Sequence, residues 1–106
     1  MIFVDVDDFA NLRLAYGESV AEDVVQRVRG VLSSLVRLDD VIGHLEEGSL
    51  AVLFRDVPDG QIHNLVRRIS RGLRHPVQTG SGRVRVSASI GSARPNARPL
   101  VLPAGA

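Results

Sequence analysis

An α+β fold, with helices carried on one face of an antiparallel sheet, is the class that this sequence of 106 residues predicts. Three observations lead there. Short stretches of apolar residues run together or alternate with polar ones, as strands do; longer stretches repeat apolar residues at helical spacing; and the two kinds follow one another as strand, helix, strand, strand, helix, strand. The length suits one domain that buries roughly two-thirds of its unfolded surface.

The elements follow in order. Met1 to Val6 is an apolar run that meets Asp5, Asp7 and Asp8, which predicts a buried strand with carboxylates at its C-terminal end and Asp8 starting the next helix. Phe9, Leu12 and Leu14 suggest a short helix, broken at Tyr16-Gly17. From Ser19, the residues Val20, Val24, Val25, Val28, Val31, Leu32 and Leu35 predict a long amphipathic helix, and Ser19 with Glu22 reads as a capping box. Val41, Ile42 and Leu45 lead into Glu46-Glu47-Gly48-Ser49 and the apolar run Leu50 to Phe54, a hairpin turning on Gly48. After a turn at Pro58-Asp59-Gly60, Ile62, Leu65, Val66, Ile69 and Leu73 form a second apolar stripe that stops near His75-Pro76. Thr79-Gly80-Ser81-Gly82 is a turn, and Val84, Val86, Ala88 and Ile90 alternate with Arg85, Ser87 and Ser89 as one last strand. Residues 1–92 then form the domain, and 93–106, rich in Pro, Ala and Gly, read as a tail or the start of a further element. This order is that of ferredoxin-like βαββαβ folds, which host polymerases, cyclases, RNA binders and regulatory modules, so it names no function.

Composition narrows the field. With 44% apolar and 24% charged residues the chain is an ordinary water-soluble domain, and no apolar run approaches the ~20 residues of a membrane span. Nothing at the N-terminus resembles a signal peptide, so a cytoplasmic location is expected. The absence of cysteine excludes disulfide and thiolate-metal chemistry, and His44, His63 and His75 have no zinc spacing. A net charge of +1 and few aromatic residues (Phe3, Phe9, Phe54, Tyr16) argue against nucleic acid as a partner. All thirteen basic residues are Arg, a side chain suited to planar anions and guanine edges, although a base-composition habit of the genome would produce the same bias.

Phe3-Val4-Asp5-Val6-Asp7-Asp8-Phe9, then Tyr16-Gly17, then the long helix, the hairpin Leu45-Glu46-Glu47-Gly48-Ser49-Leu50-Ala51-Val52-Leu53, and finally Val86-Ser87-Ala88-Ser89-Ile90-Gly91 together resemble successive landmarks of the GGDEF family of diguanylate cyclases. The likeness runs from Ile2 to about Ser92. It implies the cyclase-palm form of the ferredoxin-like fold and a role in bacterial-type cyclic di-GMP signalling.

In that family the hairpin reads Gly-Gly-Asp/Glu-Glu-Phe; its glycines admit GTP and its acids serve metal binding and catalysis. Here the matching positions are Glu46, Glu47, Gly48, Ser49 and Leu50. Attack of a 3′-hydroxyl on an α-phosphate needs metal ions that acidify the nucleophile and offset developing charge, and magnesium needs carboxylate oxygens beside the phosphates. Gly48 and Ser49 supply none. Of the family's first-strand metal contacts, Asp5 and the backbone carbonyl of Val6 remain, which implies a vestigial site and no resident cofactor. Sliding the hairpin by two residues would carry Glu46 and Glu47 to the acidic positions without turning the strand over, but would put carboxylates where the nucleotide must fit. Guanine- and ribose-contacting positions have drifted as well: Arg13 replaces an Asn, Leu14 an Asp, and Ala21-Glu22 a Gly-Asp. Without the family, Asp5, Asp7 and Asp8 read as a solvated strand end, and Glu46 and Glu47 as a polar hairpin tip.

The resemblance implies a second site. The family's product-inhibition site is an Arg-x-x-Asp five residues before the hairpin signature, assisted by an Arg on the next helix; Arg37-Leu38-Asp39-Asp40 stands at that spacing and Arg68 at the helix position. A guanidinium can pair with guanine O6 and N7 or with phosphate, and a carboxylate can accept from guanine N–H groups. The alternatives are an Arg37–Asp40 surface ion pair worth about 0–1 kcal/mol, and Arg67, Arg68, Arg71 and Arg74 as the solvated face of a helix. The expected function is a signalling module, not an enzyme, that binds cyclic di-GMP through Arg37, Asp40 and Arg68 or keeps only a protein-binding role. The alternative is a divergent diguanylate cyclase or nucleotidyl transferase using Asp5 and Glu47 with magnesium. Family members usually carry a helical segment before the first strand and a strand and helix after the last landmark; without them apolar surface is uncovered, so self-association or a protein partner is expected.

Overall fold

Ile2, Val4 and Val6 are buried while Asp5 between them is exposed, the period-two pattern that gives strand β1 (Ile2–Val6) one apolar face. In the computed structural model, which describes residues 1–37, 40–54, 57–93 and 100–103, β1 is the central strand of a five-stranded antiparallel sheet. Beside it lie β3 (Ser49–Leu53) and then β2 (Val41–Glu46) on one side, and β6 (Ala88–Ser92) and then β7 (Leu100–Pro103) on the other. A separate hairpin pairs β4 (Val77–Thr79) with β5 (Gly82–Val84). Helices α1 (Phe9–Tyr16), α2 (Glu18–Ser33) and α3 (Asp59–Leu73) complete the fold, an α+β arrangement as the sequence predicts.

The core forms where the apolar stripe of α2 meets the apolar face of the sheet. Val24, Val28 and Leu32 of α2 and Ile69 and Leu73 of α3 cluster with Ile2, Val4, Leu50, Val52 and Ile90 from the three central strands. Fully burying a Val, Leu or Ile side chain contributes about 1.5–3 kcal/mol, so this layer is what holds β1 and the hairpin β2–β3 in place. Asp5 points to the other face of the sheet from these residues, at the end where β1 meets the hairpin turn.

Local details depart from the expectations in three places. Ser19 and Glu22 do not form a capping box: α2 starts at Glu18, with Gly17 at the N-cap and no side-chain cap bond. Gly17 adopts φ +93°, which lets the chain turn directly from α1 into α2. The alternation from Val84 to Ile90 is divided between two strands, because β5 pairs with β4 while β6 pairs with β1. Thr79 Oγ1 fixes that split: it donates to the Gly82 carbonyl at 2.7 Å and accepts from the Ser81 N–H at 3.1 Å, closing the small hairpin. The stretch read as a tail or the start of a further element contributes β7, an edge strand on β6, where Pro103 needs no ladder donor. Pro58-Asp59-Gly60 is not a separate turn either; Pro58 is the N-cap of α3 and Asp59 its first residue. Among the described residues no helix is long and apolar enough to cross a membrane.

Candidate functional site

Two clefts matter, and the first is built around the hairpin turn. Gly48 has φ +79°, and a Cβ there would lie 2.6 Å from Cγ of Phe9, so the turn is open only to glycine. Its carbonyl accepts from the Val6 N–H at 2.8 Å, tying the turn to the end of β1. In this register Ser49 stands opposite Asp5, and its hydroxyl donates to Asp5 Oδ1 at 2.6 Å. The two-residue slide that would bring Glu46 or Glu47 opposite Asp5 is not adopted. Asp7 Oδ1 accepts from the Ser89 hydroxyl at 2.9 Å, and Asp8, the N-cap of α1, sits in the left-handed region at φ 52° without capping through its side chain.

Arg13 of α1 fills the cleft between the hairpin and α2. Its Nη2 forms a hydrogen-bonded ion pair with Glu47, its Nε lies 3.4 Å from Glu18 Oε2, and its guanidinium carbon stands 5.1 Å from the centre of the Phe9 ring. The hydrogen bond that Arg13 donates to Glu47, outweighing desolvation and helped by the charges of Glu47 and Glu18, raises the Arg13 pKa above its already high ordinary value. The guanidinium therefore stays charged at any physiological pH; stability from this shift is lost only in strong alkali, as pH rises through the raised value. The remaining space, about 280 Å³, is lined by Phe9, Arg13, Ala21, Glu22, Glu47 and Gly48 among others. These include the Arg13 and Ala21-Glu22 positions that the sequence marks as drifted, whereas Leu14 is exposed to solvent.

The donor set does not fit magnesium beside a triphosphate. Asp5 is engaged by Ser49 and Glu47 by Arg13, and among the described residues no group of three or more His, Asp or Glu side chains gathers as metal ligands. Val6 is buried on the helical side of β1. The role of Arg13 is the feature that sequence reasoning missed. It registers there as the loss of an Asn, and no local spacing relates it to Glu47 on a different element.

The second cleft gathers Arg37, Asp40 and Arg68, which line one groove of about 470 Å³. A reciprocal turn fixes the Arg-x-x-Asp geometry: the Arg37 N–H donates to Asp40 Oδ2 at 2.8 Å, and the Asp40 N–H donates to the Arg37 carbonyl at 3.1 Å. Leu38 and Asp39 lie outside the described residues. Gln61 adds an amide, and Leu35, Phe54 and Leu65 supply apolar wall. The side chains of Arg37 and Arg68 are exposed, and neither makes an ion pair among the described residues. Such a groove offers planar cations, one carboxylate and apolar surface, a combination suited to a guanine-containing anion.

Comparison with known proteins agrees with this fold. The structure resembles the GGDEF domain of TpbB (YfiN) from Pseudomonas aeruginosa with TM-score 0.67 and 24% identity, covering 85% of this chain and 54% of that one. It resembles the diguanylate cyclase SiaD, solved in complex with its activator SiaC from Pseudomonas aeruginosa, with TM-score 0.75 and 20% identity over 92% of this chain and 38% of that one. For a sensory box/GGDEF family protein from Caulobacter crescentus the TM-score is 0.70 and the identity 17%, over 94% of this chain and 61% of that one. The chain thus spans between about two-fifths and three-fifths of these proteins. No curated protein matches the sequence. The family model for the diguanylate cyclase GGDEF domain matches residues 1–99, nearly the whole chain, and this chain belongs to the GGDEF family.

Proposed function

We propose that this chain is a catalytically silent GGDEF module that senses cyclic di-GMP through Arg37, Asp40 and Arg68. The observation that carries the reading is the single groove that all three residues line. The hairpin cleft supports the silent half of the proposal: the positions for the family's acids hold Gly48 and Ser49, the remaining Asp5 accepts from Ser49, and Arg13 reaches across the cleft to Glu47. A transferase relying on Asp5 and Glu47 would have to release both carboxylates from these partners before magnesium could bind.

In the groove, the guanidinium of Arg37 would pair with a guanine edge or a phosphate and Arg68 with the second. The backbone bond to Asp40 holds the carboxylate where it can accept from a guanine N–H while the turn keeps its shape. The result of binding is a change in how this module meets its neighbours, since nothing in the proposal requires the ligand to react. One solved relative, SiaD, is in complex with a protein activator, which is consistent with a GGDEF module acting through a protein partner.

Isothermal titration calorimetry with cyclic di-GMP tests the proposal. A micromolar response that Arg37→Ala and Arg68→Ala each abolish, with no GTP consumed in magnesium at high protein concentration, is the expected result. No heat from the unaltered chain would remove the sensor, and magnesium-dependent production of a cyclic dinucleotide would remove the silent module.

A further inference from the structure

A net charge of +1 conceals how charge is sorted along this chain. All twelve acidic residues fall between Asp5 and Asp59, and from Gly60 onward there are eight arginines and no acid. In the fold, half of those arginines collect on α3. Arg67, Arg68, Arg71 and Arg74 recur at spacings of three and four, so they share the outward side of the helix, and all are exposed. None makes an ion pair among the described residues. Arg67, Arg68 and Arg71 border a shallow depression of about 320 Å³ floored in part by the amides of Gln61 and Asn64. Like charges at these spacings work against the helix that carries them. Docked carboxylates would reverse that penalty.

The complementary surface is present on the same molecule. Glu22 on the first turns of α2 lines the hairpin cleft, Glu46 stands at the hairpin tip, and Asp5, Asp7 and Asp8 follow the end of β1 beside the hairpin turn; all are exposed. Arg13 is the cation that reaches into this mouth, and it is already engaged by Glu47 and Glu18. The hairpin mouth therefore carries more exposed carboxylates than guanidiniums, while the exposed charges of α3 from Arg67 onward are all guanidiniums.

We propose that the arginine face of α3 is a docking surface for a second copy of this chain, received by that copy's carboxylate-rich mouth. Guanidinium forks pair with carboxylates in two-pronged fashion, and several exposed pairs acting together supply what one screened pair does not. Because two different surfaces meet, the contact is head-to-tail: each copy keeps a free α3 face and a free mouth, and association continues beyond the pair into rings or open chains. Arg68 borders both this face and the Arg37 groove, so the test leaves Arg37 and Arg68 unchanged and is run without cyclic di-GMP.

Sedimentation velocity on the purified chain, over a concentration series at ~20 mM and ~500 mM salt, provides the test, since screening lengths fall severalfold between those conditions. The average mass should climb past that of a dimer at low salt and return to that of a monomer at high salt. The variant Arg67→Glu/Arg71→Glu/Arg74→Glu, with an intact mouth, and the variant Asp7→Asn/Glu22→Gln/Glu46→Gln, with an intact α3 face, should each be monomeric alone. Mixed in equal amounts they retain one working contact and should stop at a pair. Circular dichroism confirms that each variant is folded; if the arginine variant is not, the salt series and the carboxylate variant still decide. Monomers at low salt, assembly that survives high salt, or variants that assemble alone would overturn the proposal. So would a chain that stays monomeric at low salt and shifts only when an oligonucleotide is added, which would assign α3 to nucleic acid.

Discussion

The hairpin cleft and the Arg37 groove belong to the same small domain, yet they treat their arginines in opposite ways. In the hairpin cleft Arg13 is paired with Glu47, and the Asp5 and Asp7 carboxylates accept from the Ser49 and Ser89 hydroxyls. In the groove, Arg37 and Arg68 present exposed guanidiniums, and the Asp40 carboxylate is held by backbone in a fixed orientation. The difference teaches that residue inventory alone does not make a binding site. A carboxylate beside a phosphate position is useful to a ligand only if its interaction is left over after the fold has used it, because displacing an internal partner costs about what the new contact returns.

The comparison can be broken hardest at Gly48. Gly48→Ala forces a Cβ onto Phe9 in a backbone conformation that L-residues disfavour, and should lower stability by about 2–4 kcal/mol, read as a shift in the urea midpoint. If the midpoint does not move, the closeness of turn and Phe9 is not what shapes the hairpin cleft. Arg37→Ala tests the groove. It should weaken cyclic di-GMP binding by roughly ten- to a hundredfold, the worth of one charge-assisted contact, while leaving the urea midpoint nearly unchanged. A loss of stability without loss of binding would mean that Arg37 serves the turn and not a ligand.

Smaller effects sharpen the contrast. Ser49→Ala removes the hydroxyl from an exposed Asp5 and should change stability by less than about 1 kcal/mol, without creating magnesium-dependent GTP consumption. Turnover by that variant would show that the hydroxyl alone was holding the chemistry off. The smallest effect is expected for the Arg13–Glu47 pair, whose carboxylate is exposed to solvent. A double-mutant cycle with Arg13→Ala and Glu47→Ala should give a favourable coupling that shrinks as salt is raised and is insensitive to pH between neutrality and pH 10. Loss of the coupling within that range would contradict an arginine whose pKa is raised by its partner.

Much of this molecule was legible in its residues. Period-two burial in β1, the helical stripe from Val20 to Leu32, the hairpin on Gly48 and the stripe of α3 all follow from where apolar side chains recur, because burial rewards those periods wherever the partner happens to lie. Arg37, Asp40 and Arg68 were singled out by the likeness to the GGDEF family, and the structure brings the three to one groove.

Pairing was a different matter. Whether Val84 and Ile90 share a strand, whether Leu100–Pro103 joins a sheet, and whether Arg13 answers Glu47 depend on which distant segment arrives alongside, and alternation reads the same for any neighbour. The sequence by itself determined which residues must be buried and which acids are missing from the hairpin. Only the tertiary structure decided which of the remaining charges neutralise each other and which stay available, because those partners are chosen by distance in space.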